Sequence, residues 1–424
     1  MRKKVLFTPY IALVAFYVFW AISGHGRIAN YLATICCLVL MLFDFGSKDK
    51  SLVFNKKDYI DRAALYYIGF FAFYFITSIP NMSDVVYWAG NVVAFMFVSY
   101  FPLFLYRKIN RDFSLEYKCA LLKVILMVWI CIVTYSVVYY IQHPGIARDA
   151  IVYQSQFDNL FIGGGYPLAY GSAIIAVFIM GILKKKIINN FKVKIGLVAF
   201  MVLSIMHVVL TNSTLTLIWL ILGLILTLVL EPKTTEENHK KKRMLIMLFV
   251  FVSVIVFLFL RPFIGSLLME LGDYSSDSLY LRRIYEVGTV IKGDTFTRHT
   301  TDRLSRPLMS WHLFLESPLI GIGYKSGYTY TAMQQYGLGN HSEIIDSLAK
   351  YGIVGFLLLA GVFVNFVKSI QKKLYPKEPS CWWIIMVAMM CFNPFVSMPS
   401  LIAVFLIIPI ITMVINEYGN NQWG

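Results

Sequence analysis

The segment RLSRPLMSWHLFLESPLIGIGYKSGYTYTAMQQYGLGNHSEIIDSLAKYGIVG, Arg303 to Gly355, decides how the rest of the chain is read. It lies in the one long polar segment of an otherwise apolar sequence. It gathers Arg303, Arg306 and His341 around a Pro-Gly-rich turn and then runs into a hydrophobic helix. Trp311, Leu313, Phe314 and Tyr324 keep it apolar enough to fold. The periodicity of LMSWHLFLESP, stopped by Pro318, predicts a helix there. A disordered tail has neither feature.

On either side the chain is built for a membrane. It is 58% hydrophobic and 14% charged, with a mean hydropathy of +0.67. A soluble domain is nearer a quarter charged. Crossing a bilayer takes about 20 mostly apolar residues. Candidate spans fall at 5–23, 28–45, 62–80, 86–106, 119–141, 166–183, 195–211, 215–231, 244–261, 349–369, 380–396 and 399–416. The expectation is an all-α polytopic membrane protein of about twelve helices, with one large loop of short helices between the ninth and tenth. It divides as helices 1–9 over residues 1–261, the loop over 262–348, and helices 10–12 over 349–424.

The net charge of +15 supports this topology and does not point to nucleic acid. Lys and Arg cluster in alternate loops: Lys48 to Lys57, Arg107 to Arg111, Lys184 to Lys194, Lys240 to Arg243, and Lys368 to Lys377. The loops between them, GHGR, PNMSD, TNST and VSMPS, are nearly free of positive charge. Basic loops stay cytoplasmic, so both termini are expected inside and the 262–348 loop outside. No basic patch with interleaved aromatics lies beyond those loops. Cys36, Cys37, Cys119, Cys131, Cys381 and Cys391 sit in or beside apolar runs without metal-ligand spacing, and read as packing or lipid-facing thiols. The basic start and apolar run of the N-terminus, without a small-residue cleavage site after it, read as a retained first helix.

The chemistry-bearing residues lie in the two longer outside segments. In GNHSEIIDSLAK, Asn340 is a candidate helix cap, with Glu343 three positions on as its capping-box partner. His341 would then lie in the first helical turn. There the helix dipole favours a neutral imidazole, and the free amides favour an anion. Such a histidine serves as a general base or packs beneath the loop; residue type alone leaves both open. Arg303 and Arg306, three apart, could share a helix face and hold phosphate, or pair with Asp302 and Glu316. Arg148, in the other outside segment, is a further candidate substrate contact. Gly321, Gly323 and Gly327 after Pro318 make turns. No outside Asp-x-Asp, Walker A, GxSxG or HExxH occurs. The simplest chemistry is therefore metal-free and cofactor-free transfer from a good leaving group. A transporter would need buried mid-membrane charges or repeated halves; Lys123 near a span end and a lone His207 supply neither. A non-catalytic assembly partner is the remaining alternative.

In order, Arg303, Pro318, Gly321, Gly323, His341, Gly352 and Gly355 resemble the pattern of the O-antigen ligase and polymerase superfamily. The motif covers about an eighth of the chain. The resemblance implies the dozen-helix fold with a periplasmic loop between the ninth and tenth helices. It also implies bacterial inner-membrane location and inverting, metal-independent transfer of an undecaprenyl-diphosphate-linked oligosaccharide onto a sugar hydroxyl. His341 takes the place of the base, and Arg303, with Arg306 beside it, that of the diphosphate clamp; Glu343 joins them as a substrate-contact candidate. Donor and acceptor glycolipids, membrane lipid, a chain-length regulator and a flippase are the implied partners. Two positions depart: Thr214 stands where the family often has Arg, so Arg148 is the candidate substitute, and Ser342 follows the histidine where Asn is common. A polymerase of O-antigen or capsule is the favoured member, and a ligase acting on lipid A core the alternative.

Overall fold

A computed structural model describes residues 2–23, 26–45, 54–79, 96–113, 115–143, 146, 165–188, 190–211, 213–230, 260, 262–272, 281, 284–285, 288–289, 292, 298–322, 342–374 and 381–419. Among them there is no strand. The helices are α1 Arg2–Ser23, α2 Gly26–Phe45, α3 Tyr59–Ser78, α4 Met96–Asp112, α5 Leu115–Gln142, α6 Gly165–Lys184, α7 Phe191–Leu210, α8 Thr214–Leu230, α9 Pro262–Leu271, α10 Arg298–Glu316, α11 Glu343–Leu374, α12 Cys381–Phe392 and α13, which runs from Met398 through a π-helical stretch at Ala403–Ile407 to Gly419. Tyr117–Gln142, Tyr166–Lys184, Phe191–Leu210 and Glu343–Leu374 are each long and apolar enough to cross a bilayer. Shorter apolar helices accompany them, and the protein is a membrane protein. The expected span 86–106 is described from Met96 on, and all of 244–261 but residue 260 lies outside the described residues.

The chain forms two compact units, Met1–Glu231 with Trp311–Gly424, and Pro232–Ser310. Residues 311–322 belong to the larger unit. In the smaller unit, α9 meets the 284–292 segment at glycines. A Cβ on Gly265 would lie 2.5 Å from Lys292, and one on Gly288 2.7 Å from the Met269 nitrogen.

At the centre of the larger unit are α6 and α13. From Met398 to Met413 every residue of α13 is buried, and α6 is buried along nearly its whole length. A helix apolar on all sides has to be enclosed by others, and these two are. They approach closely because their contacts are small: a Cβ on Gly171 of α6 would lie 2.8 Å from that of Ala403. Small residues at helix crossings are the usual means of close packing in lipid. Capping follows local sequence. The Asp58 carboxylate accepts from Ile60 N–H at 3.0 Å to open α3. Asn190 does the same for α7.

The two ends of this unit differ in chemistry. At one end Asp61, fully buried, pairs with Arg107 at 2.6 Å and Arg111 at 3.1 Å. Nearby, Lys118 donates to the Asn110 carbonyl and Lys373 to the Asn110 side chain. Asn416, near the end of α13, donates to the Lys373 carbonyl. The basic ends of α4, α5 and α11 thus meet. At the other end, where α13 begins, Ser400 donates to the Pro167 carbonyl. The α12–α13 connection, residues 393–397, lies here as well. It falls earlier than the expected VSMPS loop because α12 stops at Phe392, before Pro394.

Candidate functional site

The start of α11 is fixed by three acidic or hydroxyl side chains. Ser342 accepts from Ile345 N–H at 3.3 Å, and Asp346 accepts from Ser342 N–H at 3.3 Å. This reciprocal pair is the cap, so the expected capping box of Asn340 and Glu343 is corrected: the helix opens at Glu343, behind Ser342. A serine hydroxyl reaches the third amide of a helix well, and Asp346 one turn on completes the loop. Glu343 is drawn elsewhere. Its Oε2 accepts from Val396 N–H at 2.9 Å and its Oε1 from the Ser347 hydroxyl at 3.1 Å. Its own N–H donates to the Asn393 carbonyl at 3.1 Å. Glu343 thereby ties the first turn of α11 to the α12–α13 connection.

Nine residues on, the helix breaks. Gly352 has φ 64° and ψ −174°, a conformation essentially reserved for glycine. Breaking a helix frees carbonyls before the break and amides after it. In the membrane neither group can be left alone. The turn after α10 supplies both partners. Ile322 N–H donates to the Ala349 carbonyl at 2.9 Å; Ile353 N–H donates to Pro318 at 2.8 Å and Val354 N–H to Leu319 at 3.2 Å. Backbone lies directly on backbone. A Cβ on Gly352 would sit 2.3 Å from the Leu319 oxygen, and one on Gly321 (φ 73°) 2.4 Å from the Lys350 oxygen. Leu313, Phe314, Ile322 and Ala349 close over the junction. The Pro318–Gly321 and Gly352–Gly355 motifs, about thirty residues apart in sequence, are thus two halves of one clamp. The expectation of a single span over 349–369 is corrected accordingly: α11 is two helical segments, 343–351 and 353–374, joined at a strained glycine.

Beneath Glu343 lies a cluster that the sequence reading did not single out. Tyr351 stands edge-on to Phe70 and to Tyr74, each at 5.0 Å, and Tyr67 stacks on Tyr100 at 4.6 Å. The Lys350 ammonium lies 5.7 Å and 5.3 Å from the Tyr74 and Tyr351 ring centres. Cations over tyrosine faces are favourable in desolvated surroundings. The available signal was LAKYGIVG itself: a lysine and a tyrosine set against a glycine inside an apolar run.

The remaining predicted residues are placed as follows. Arg303 and Arg306 are both on α10, three positions apart on one helix as expected. His341, Arg148, Gly323, Gly327 and Asn340 lie outside the described residues. Thr214 opens α8 behind Ser213, whose hydroxyl meets that of Thr216 at 2.6 Å. His207 is a fully buried packing residue, bonded to Ser172 at 3.1 Å and stacked on Tyr140 at 5.9 Å. Among the described residues no group of three or more His, Cys, Asp or Glu side chains is gathered as a metal site.

Residues 199–360, from α7 into α11, match the family model described as O-Antigen ligase. The match contains the arginine helix, both halves of the clamp and His341, and it supports a likeness of this part of the chain to the O-antigen ligase and polymerase superfamily. No curated protein matches the chain.

Proposed function

We propose that the protein is an O-antigen polymerase. It joins undecaprenyl-diphosphate-linked oligosaccharide repeat units at the periplasmic face of the bacterial inner membrane. The observation that carries the reading is the clamp. The family match runs over every motif residue, and the two glycine motifs it contains are bonded to each other. The clamp anchors the C-terminal end of the helix bearing Arg303 and Arg306 to the helix that follows His341.

In this reading His341, as neutral imidazole, takes the proton from the acceptor sugar hydroxyl. The hydroxyl oxygen attacks the anomeric carbon from the face opposite the diphosphate. The bond from that carbon to the diphosphate oxygen breaks, the configuration inverts, and undecaprenyl diphosphate leaves. Arg303 and Arg306, with Arg148 in the place of the missing family arginine, neutralise the leaving diphosphate. Guanidinium groups keep their charge and bind such oxygens in pairs. Those cations meet the developing charge, so the reaction needs no metal. Glu343 acts as a positioning residue: its bonds to Val396 and Ser347 fix the turn next to His341.

A ligase is the second reading, favoured by the family model's own description. The gel pattern of a strain lacking the protein separates the two. Lipid A core capped with a single repeat unit is the polymerase result. Lipid-linked polymer accumulating without transfer to core is the ligase result and overturns the first reading. Wild-type surface polysaccharide in that strain overturns both.

A further inference from the structure

Past Ser310, α10 has three sides. Leu313, Phe314 and Ser317 are buried, the first two against Ala349 of α11. His312 and Glu316 form an exposed polar side. Trp311 and Leu315, four apart, form an exposed apolar side, which the following turn extends with Leu319. Leu315 is 55% and Leu319 65% exposed, values that cost free energy in water for residues of this size. The strip does not end at the turn. The Leu319 carbonyl accepts from Val354 N–H, and Val354 begins the exposed apolar side of α11, which continues to Leu357 at 60% exposure. That part of α11 belongs to a helix long and apolar enough to span the bilayer. The exposed apolar residues of α10 and its turn therefore meet those of a helix long and apolar enough to span the bilayer, at the Leu319–Val354 backbone contact.

We propose that this strip is immersed in lipid: the C-terminal half of α10 lies in the membrane interface, with Leu315 and Leu319 among acyl chains and His312 turned toward headgroups and water. The occupant follows from continuity, since the exposed apolar side of α11 meets that of α10 and its turn at this contact. Trp311 sits at the margin, where an indole is favoured because one edge is apolar and its N–H is wet. An amphipathic helix held this way is a surface anchor. The assignment goes beyond the glycosyl-transfer reading and bears on it, because the same helix carries Arg303 and Arg306.

The test places a small fluorescent amino acid at position 315, 319 or 312 of the full chain, reconstituted in phosphatidylcholine–phosphatidylglycerol vesicles. Quenching by lipids carrying a nitroxide high on the acyl chain is compared with quenching by aqueous iodide. The expected result is lipid quenching several-fold stronger at 315 and 319 than at 312, with iodide in the reverse order. Equal lipid quenching at all three positions overturns the proposal, as does iodide quenching dominant at 315. Protection of 315 from both quenchers also overturns it, by showing a protein on the strip. The readout is position and not catalysis, so it stands or falls separately from polymerase activity.

Discussion

Replacing Gly352 with alanine puts a methyl group 2.3 Å from the Leu319 oxygen and 2.5 Å from the Ile320 nitrogen, both main-chain atoms that no rotamer change can move. The φ of 64° with ψ −174° adds backbone strain of about 1–3 kcal/mol for any residue with a Cβ. Relieving the overlap means separating the turn from the helix break. That endangers the bonds Ile353 to Pro318, Val354 to Leu319 and Ile322 to Ala349. Each contributes about 0.5–1.5 kcal/mol net, so loss of all three with the strain gives about 2.5–7.5 kcal/mol. Total stabilities of folded domains are about 5–15 kcal/mol. Gly352→Ala should therefore lower the unfolding temperature of the detergent-solubilised protein sharply and abolish long-chain product. Gly321→Ala should behave alike, its Cβ lying 2.4 Å from the Lys350 oxygen. Gly196→Ala on α7 is the control. Nothing lies within 4 Å of its new methyl group, and in a helix alanine is favoured over glycine by about 0.5–1 kcal/mol. If Gly352→Ala unfolds within about 1 kcal/mol of Gly196→Ala, the clamp is not what holds the broken helix, and the reasoning fails.

Asp61→Ala removes the buried carboxylate that Arg107 meets at 2.6 Å and should cost about 3–5 kcal/mol in denaturant unfolding, whereas Asp61→Leu combined with Arg107→Met should recover most of it. Ser342→Ala removes the α11 cap and should cost about 1 kcal/mol, while Ser342→Asp should be nearly neutral in the same assay. Glu343→Ala should raise amide hydrogen exchange at 393–397, because the Val396 N–H loses its acceptor; Glu343→Gln, which keeps an acceptor oxygen, should raise it less.

The membrane character and most helix positions were legible because a run of about 20 apolar residues has few alternatives. Helix ends were less so. Asn340 and Ser342 are both good caps, and only Asp346 reaching back to the Ser342 amide decides between them. The role of Glu343 was not legible at all: its partner Val396 is about fifty residues away, in a loop whose position depends on where α12 stops. The glycine motifs could be seen, and their meeting could not. A glycine inside an apolar span reads equally as a packing contact. Only the Pro318 and Leu319 carbonyls opposite Ile353 and Val354 show that Gly352 is a break.

The most direct test of the glycosyl-transfer account reconstitutes the purified full chain in vesicles with a radiolabelled undecaprenyl-diphosphate-linked repeat unit and follows product length by thin-layer chromatography. The account predicts a ladder of longer lipid-linked oligomers with release of undecaprenyl diphosphate, persisting in EDTA, and no ladder from folded His341→Ala or Arg303→Ala protein. A ladder of the same length and rate from folded His341→Ala protein would contradict it.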